Sequence, residues 1–240
     1  MLICGLNKTT LLDYPGHVAA TVFLGGCNFR CPYCQNKDLL LHPADFAAFT
    51  REDVLDHLKK RAGILSGVCI TGGEPTLNPD LPDLIKECKT LGYQVKLDTN
   101  GTNPDMLIAL YEEGLIDYVA MDLKAPKEDY PRVCGFEGRS DEGDLMDKIT
   151  RSVSFLMGEA KRDGFDFEFR TTVVREFHDA DSFDRIADWI GGAPHYFLQS
   201  YEDSDGVLVP GLHAHDKKEL ASFIDRIRDR IPSAALRGVD

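Results

Sequence analysis

The chain has 240 residues, 43% of them hydrophobic, which is enough to bury a core without a disulfide or a structural metal. Its 27 basic and 40 acidic residues give a net charge of −13, which argues against a surface that follows nucleic-acid phosphates. No apolar run approaches the length of a membrane span and the first residues lack a secretion signal, so we expect a soluble, cytoplasmic protein that binds neither nucleic acid nor membranes.

Strand-like and helical segments alternate along the chain. The predicted strands are Ala19–Leu24, Gly67–Thr71, Tyr93–Asp98, Tyr118–Asp122, Asp166–Val174 and Tyr196–Gln199. The predicted helices are Arg51–Arg61, Asp80–Leu91, Pro104–Glu113, Asp144–Asp163, Ala180–Ile190 and Asp216–Arg230. Such alternation predicts an α/β fold of parallel strands joined by right-handed crossovers, as an open sheet or a partial barrel.

Polar and glycine-rich segments come where the first four predicted strands end. They are Gly25-Gly26-Cys27, Gly72-Gly73-Glu74, Asp98-Thr99-Asn100-Gly101 and Asp122-Leu123-Lys124. In both architectures, ligands collect at the carboxyl ends of the strands. The sequence therefore predicts one shared site at these ends.

Three of the seven cysteines lie within eight residues. Cys27, Cys31 and Cys34 follow the spacing Cys-x3-Cys-x2-Cys, and thiolates are the usual ligands of iron–sulfur clusters. Three thiolates on a [4Fe–4S] cubane leave one iron open to a substrate. The scattered cysteines are better explained as small buried hydrophobes; they are Cys4, Cys69, Cys88 and Cys134.

Two other sites compete with an open cluster. A structural zinc site, as in a zinc-stabilised binding module, needs a fourth ligand, and His42 is the nearby candidate although no second ligand pair follows. An electron-transfer cluster needs a fourth cysteine, which Cys69 or Cys134 would have to supply from a distance. The spacing favours the open cluster.

The cysteine spacing, with Tyr33 before the last cysteine, resembles the signature of radical S-adenosylmethionine (SAM) enzymes. Thr71-Gly72-Gly73-Glu74-Pro75 is similar to their GGE motif. The resemblance implies a partial (β/α)6 TIM-like barrel and one [4Fe–4S] cluster at which SAM is reductively cleaved. It also implies a single domain over residues 1–240. The cofactor motifs would lie in 13–124, the second half of the barrel in 125–200, and a C-terminal helical segment in 212–240.

Three further motifs resemble one branch, the activating enzymes of glycyl-radical enzymes. They are Asp13-Tyr14-Pro15-Gly16, Asp98-Thr99-Asn100-Gly101 and Asp122-Leu123-Lys124. The segment 7–16 is most similar to activators of anaerobic ribonucleoside-triphosphate reductase. The resemblance implies a glycyl-radical enzyme as protein substrate and a flavodoxin- or ferredoxin-type electron donor. Alternatives are an activase of a pyruvate formate-lyase-like enzyme and a radical SAM enzyme acting on a small molecule such as a deazapurine precursor.

The same resemblance implies which residues bind SAM. The backbone of Gly72-Gly73-Glu74-Pro75 would meet the methionine amino group, and the backbone at Tyr33 and Gln35 would meet adenine. Lys124 would face the sulfonium or the carboxylate. The other expected contacts are Asp98, Asn100, Asp122, Gln199 and Tyr201. Of these, Gln199 or Tyr201 would replace a histidine that related activases carry.

Asp13 would lie at the open mouth of the barrel and touch the substrate polypeptide, unless Asp-Tyr-Pro-Gly is an ordinary turn. A monovalent cation beside the SAM carboxylate would take oxygen ligands. Its expected ligands are Asp98, Thr99, Ala120 and Asp122. Without the resemblance, the two aspartates would cap helices, the glycine pair would be a plain turn, and Lys124 would be solvated.

Overall fold

The structure, a computed structural model, describes residues 1–139, 141–158 and 160–238. Within these residues, eight strands and eight α-helices largely alternate. The strands are β1 Ile3–Thr10, β2 Ala19–Leu24, β3 Gly67–Gly72, β4 Gln94–Thr99, β5 Tyr118–Asp122, β6 Asp166–Val173, β7 Tyr196–Ser200 and β8 Ala235–Arg237. The helices are α1 Lys37–Leu41, α2 Arg51–Lys60, α3 Leu81–Thr90, α4 Pro104–Glu112, α5 Tyr130–Val133, α6 Glu142–Gly158, α7 Ala180–Ile190 and α8 Lys217–Ile227.

The strands follow one another in the sheet in chain order, from β1 to β8. β1 runs antiparallel to β2, whereas the pairs β2–β3, β3–β4, β6–β7 and β7–β8 are parallel. The predicted α/β class is therefore confirmed. Within the described residues, no helix combines the length and the apolar character that crossing a membrane requires.

All six predicted strands and all six predicted helices are present. The end of the longest predicted helix falls partly on residue 159, which lies outside the described residues. Four elements were not predicted: β1, β8, α1 and α5. The expected helical segment 212–240 is corrected, because it contains α8 but goes on to β8; its last two residues lie outside the described residues. β8 has only three residues, too few for an alternating pattern.

The chain divides into two compact units. The first unit comprises Met1–Asn28, Asp38–Ala120 and Ala160–Asp166, and the second comprises the remaining described residues. In the first unit, helix α3 buries Leu81, Leu84, Ile85 and Cys88 at helical spacing. In the second unit, Phe183 of α7 stacks on Phe223 of α8 at 4.9 Å between ring centres.

The register of the first unit positions part of the candidate site. Thr21 of β2 pairs with Cys69 of β3, which pairs with Lys96 of β4. Since residues at the same level of a parallel sheet point the same way, these three side chains share one face. Asp98, two residues beyond Lys96, shares it too. Helix α2 begins with a capping box of Thr50 and Asp53, and an N-cap of this kind is typically worth about 1 kcal/mol.

Candidate active site

The two loops that follow β2 and β3 touch through their backbones. Gly73 N donates to Leu24 O and Glu74 N donates to Gly26 O, each at 2.8 Å. A Cβ on Gly73 would lie 2.0 Å from Gly26 O, and one on Gly72, whose φ is +127°, would lie 2.2 Å from Leu24 O. Only glycine fits at either position. This contact fixes the backbone immediately before Cys27.

Glu74 connects the loop after β3 to the loop after β4. Its side chain is buried at 1% exposure. It accepts hydrogen bonds from the Thr76 backbone and hydroxyl, from Thr99 Oγ1 at 2.8 Å and from Asn100 N at 2.6 Å. Burial raises the pKa of Glu74 above its usual value although these bonds oppose the shift. The carboxylate braces the loop, and the neighbouring Pro75 opens a short 3₁₀ helix, Pro75–Leu77.

Asn100 brings an amide donor to a sulfur atom. Its Nδ2 lies 2.9 Å from Asn28 Oδ1 and 3.9 Å from Cys27 Sγ. Its Oδ1 accepts from Thr102 N at 3.0 Å, and Asn28 in turn donates to Thr102 Oγ1 at 2.9 Å. The orientation of the amide is therefore set from three sides, with one N–H directed to Cys27.

Asp98 is paired within its own strand. Lys96 Nζ contacts Asp98 Oδ1 and lies 3.8 Å from Cys69 Sγ. The Lys96 side chain is 2% exposed and the Asp98 side chain 14%. A buried ion pair between residues i and i+2 of one strand thus occupies a position where a cation ligand was predicted.

Within the Asp-Tyr-Pro-Gly segment, Tyr14 packs against the first residues of β3 and β5. The Tyr14 ring is 5.9 Å from that of Tyr118, the first residue of β5, and a Cβ on Gly67, the first residue of β3, would lie 2.7 Å from Tyr14 Cδ1. Asp13 accepts a hydrogen bond from Thr21, in the middle of β2. Ala120 joins Tyr14 and Tyr118 in a buried cluster.

Cys31 and Cys34 belong to the second unit. Arg30 N donates to Cys134 O at 2.9 Å, Leu208 N to Cys34 O at 3.0 Å and Val209 N to Pro32 O at 2.8 Å. Tyr33 is buried within this loop, and its hydroxyl has no hydrogen-bond partner among the described residues. Burial raises the pKa of Tyr33 well above its usual value, so the phenol is neutral. Distant segments therefore hold the cysteine loop by its backbone.

Asp122, at the end of β5, lies between two cations. Lys124 Nζ is 2.9 Å from Asp122 Oδ2 and Arg170 Nε is 3.0 Å from Oδ1. Burial would raise the pKa of Asp122, but the two cations outweigh it and lower the pKa to about 2. Burial would likewise lower the pKa of Lys124, but Asp122 and Cys31 raise it above its usual value. All three groups are charged at neutral pH.

Charged side chains also connect β6 to β8. Glu168, at 0% exposure, accepts two bonds from the Arg237 guanidinium, and Arg170 Nε lies 4.0 Å away. Sequence analysis assigned no role to Glu168 or Arg237. The alternation of β6 places Glu168 and Arg170 on one face, but the partner on β8 could not be foreseen because β8 was not predicted.

His178 is a further residue that sequence analysis missed. The buried ring accepts from Val174 N at 3.0 Å through Nδ1, so Nε2 carries the proton and donates to Lys124 O at 2.7 Å. Burial lowers the pKa of His178 to about 4, which keeps it neutral. Tyr130 similarly donates to Asp122 O at 3.1 Å. Both hold the backbone of the Asp122-Leu123-Lys124 segment.

The last predicted contacts lie near the loop after β7. Gln35 Nε2 donates to Glu202 O at 3.0 Å, and the buried Tyr201 donates its hydroxyl to Asp203 at 3.0 Å. Burial and Asp203 raise the pKa of Tyr201 to about 12. Gln199 pairs in register with Thr172 and Arg237.

Each polar residue predicted to bind a monovalent cation is engaged by another side chain. Asp98 contacts Lys96, Thr99 donates to Glu74, and Asp122 contacts Lys124 and Arg170. Across the described residues, no group of three or more His, Cys, Asp or Glu side chains is arranged to hold a metal ion. The fit of an iron–sulfur cluster therefore rests on the donor set. None of these three cysteines forms a disulfide with a described residue, an amide N–H faces Cys27, and Coulomb attraction to Cys31 contributes to the raised pKa of Lys124.

Comparison with known proteins gives a family match and two kinds of relative. The model of the radical SAM superfamily matches residues 21–154. A protein of Methanocaldococcus jannaschii, provisionally named as a glycyl-radical enzyme activating enzyme, is 28% identical over 99% of this chain and 97% of its own length. The 7-carboxy-7-deazaguanine synthase of Neisseria meningitidis serogroup B is 38% identical over 46% of this chain and 45% of its own length.

A solved structure shows the same fold. SuiB of Streptococcus suis, in its complex with S-adenosylmethionine, superposes with a TM-score of 0.68 at 15% identity. The match covers 91% of this chain and 52% of SuiB, so this chain corresponds to about half of that protein.

Proposed function

The chain belongs to the radical SAM superfamily, and from that premise we propose that it activates a glycyl-radical enzyme. The observation that carries this proposal is the extent of the likeness to the M. jannaschii activating enzyme, 99% of this chain and 97% of that one. This match extends over nearly the whole of both chains, whereas the N. meningitidis relative matches less than half of each.

Different residues would hold the cluster and SAM. Cys27, Cys31 and Cys34 would ligate the cluster, and Gly72-Gly73 would present backbone groups to the SAM methionine. When bound, a [4Fe–4S] cluster with one open iron site supplies the electron that cleaves SAM. Glu74 fixes the glycine loop relative to Asn100, and the buried, neutral His178 fixes the backbone carbonyl of Lys124. Each of these hydrogen bonds restricts the backbone before SAM binds, so SAM binding costs less conformational entropy.

The proposed substrate is a glycine of a partner protein, because glycine has no Cβ and its backbone can approach a reacting atom closely. The partner that the motifs favour is anaerobic ribonucleoside-triphosphate reductase, and a pyruvate formate-lyase-like enzyme is the alternative. A flavodoxin or ferredoxin would supply the electron. Asp13, which Thr21 orients, is the candidate contact for the entering polypeptide.

The test is to incubate the reduced, cluster-loaded protein with SAM and each partner anaerobically. We expect a carbon-centred EPR doublet on the cognate partner and transfer of deuterium from labelled glycine into 5′-deoxyadenosine. The Cys31→Ala variant should give neither signal, whereas Cys88→Ala should give both, because Cys88 is buried in helix α3. The proposal fails if no glycyl-radical protein acquires the doublet.

A second function is supported by the N. meningitidis relative, whose name assigns it a small-molecule product. This alternative predicts that the hydrogen found in 5′-deoxyadenosine comes from a small molecule in the absence of any protein partner. Deuterated candidate substrates of the deazapurine class, assayed without the reductase, distinguish the two functions.

A further inference from the structure

Lys96 lies where a lysine is costly. Its side chain is 2% exposed on β4, on the same face as Thr21 and Cys69 and two residues before Asp98. Removing an ammonium from water is unfavourable unless an opposite charge compensates it. The Asp98 carboxylate, in direct contact with Nζ, provides that compensation. The ammonium is therefore a fixed positive charge at Asp98.

A second cation would fit poorly at this position. Nζ also lies 3.8 Å from Cys69 Sγ, and sulfur is a soft ligand that hard cations bind weakly. An alkali ion would have to displace the ammonium from Asp98 or add a second positive charge beside it in a buried environment. Thr99, the next residue, directs its hydroxyl to Glu74.

The second unit contains the same arrangement independently. Asp122 is held by Lys124 at 2.9 Å and by Arg170 at 3.0 Å, so its charge is more than balanced by side chains. Each of the two strand-end aspartates thus carries its own internal cation.

We propose that Lys96 is a positioning residue whose ammonium takes the part of a monovalent cation at Asp98, so that this chain binds SAM without any alkali-metal ion. The inference rests on the proposed function, because it assumes that Asp98 belongs to the SAM site. Lys96 does not touch the reacting atoms; it acts by neutralising and orienting Asp98.

The experiment measures the affinity of the cluster-loaded protein for SAM by isothermal titration calorimetry. The buffers contain KCl, NaCl or choline chloride at one ionic strength, since choline is too large to replace an alkali ion. Wild-type protein should bind SAM within about twofold equally in all three. An affinity at least fivefold higher in KCl or NaCl than in choline chloride would overturn the inference.

Variants separate the charge of Lys96 from its packing. Lys96→Met removes the ammonium but keeps an unbranched side chain, so binding in choline chloride should weaken at least tenfold and recover in part in KCl or NaCl. Lys96→Met combined with Asp98→Asn removes both charges and should again be insensitive to the cation. The control Lys86→Met changes an exposed lysine of α3 and should match wild type.

The outcomes distinguish the inference from the function on which it rests. Where Lys96→Met does not fold, the wild-type salt series decides alone. If Lys96→Met folds and binds SAM as wild type does in choline chloride, Lys96 is only structural and the inference is wrong. If wild-type protein binds no SAM in any salt, the proposed function is wrong and the inference falls with it.

Discussion

Asn100 shows what a single side chain can add to a cluster. An N–H directed at a thiolate stabilises the extra negative charge of the reduced state and so raises the reduction potential. Asn100→Ala removes the donor 3.9 Å from Cys27 Sγ. A hydrogen bond worth about 1 kcal/mol corresponds to about 40 mV for one electron, so we expect the midpoint potential to fall by that amount.

The measurement is an EPR-monitored redox titration of the loaded protein. Asn78→Ala is the matched control, because its amide donates to Pro75 O and not to a cysteine. An unchanged potential in Asn100→Ala would show that the amide only orients Asn28 and Thr102.

His178 gives the cluster-free protein a predictable response to pH. Its pKa is about 4 in the folded state and about 6.5 in an unfolded chain, so the unfolded chain binds more protons between these values. The contribution to stability is therefore complete above about pH 6.5 and is lost as the pH falls towards 4. From pH 7.5 to pH 5, this group alone should lower the free energy of unfolding by about 2 kcal/mol.

Urea unfolding at the two pH values measures the difference. In His178→Gln, the loss in the free energy of unfolding between pH 7.5 and pH 5 should be smaller by that amount. A change of the exposed His42 to Gln should leave the loss as in wild type. If wild type and His178→Gln lose the same free energy of unfolding between the two pH values, groups other than His178 cause the pH dependence.

The residues that could be predicted are those whose chemistry is written in a local pattern. Gly72-Gly73 and the three cysteines stand out because their spacing has few other uses. His178 could not be found in this way, because its partner is the Lys124 carbonyl, 54 positions away in the chain. In the sequence alone, Lys96 is indistinguishable from an ordinary strand residue, because its contact with Asp98 is visible only in the structure.

Among the elements, β8 is linked to β6 by an ion pair as well as to β7 by sheet pairing. Its Arg237 makes the two-pronged contact to Glu168, which is fully buried. Arg237→Met should remove the two-pronged partner of this buried carboxylate, and breaking such a pair typically costs about 3–5 kcal/mol. We expect a loss near the lower limit because Arg170 remains 4.0 Å away.

Chemical denaturation of three variants tests this expectation. Arg237→Met combined with Glu168→Gln should recover much of the stability that Arg237→Met loses, since no charge is left unpaired. Arg228→Met, at an exposed ion pair with Asp225, should change stability by less than about 1 kcal/mol. If Arg237→Met is as stable as wild type, the pair does not hold β8.

Three of the four elements that sequence analysis missed have five residues or fewer, but β1 has eight. Helix α7 matches its prediction because its apolar residues recur at helical spacing over eleven positions. β1 was missed because its sequence, Ile-Cys-Gly-Leu-Asn-Lys-Thr-Thr, is largely polar towards its end, and its strand state depends on antiparallel pairing with β2. Tertiary pairing of this kind has no local signature.

For the whole molecule, we expect one cluster and about four irons per chain. Cys27→Ala, Cys31→Ala and Cys34→Ala should each lose most of the iron after anaerobic reconstitution, because each removes one of three ligands. Cys88→Ala and Cys134→Ala are matched controls, as burial raises the pKa of both thiols to about 12 and keeps them protonated. Full iron binding in any of the first three variants would mean that another residue ligates the cluster.

The way the cysteine loop is held has a consequence for biosynthesis. Cys34 and Pro32 are made early, whereas their hydrogen-bond partners Leu208 and Val209 leave the ribosome on the order of ten seconds later. During that interval the nascent chain already exposes its thiols but lacks the backbone donors that close around them. Iron and sulfide inserted during translation would thus reach a cysteine loop that still lacks these hydrogen bonds. Iron and sulfide delivered after translation would reach a loop in which these bonds have formed.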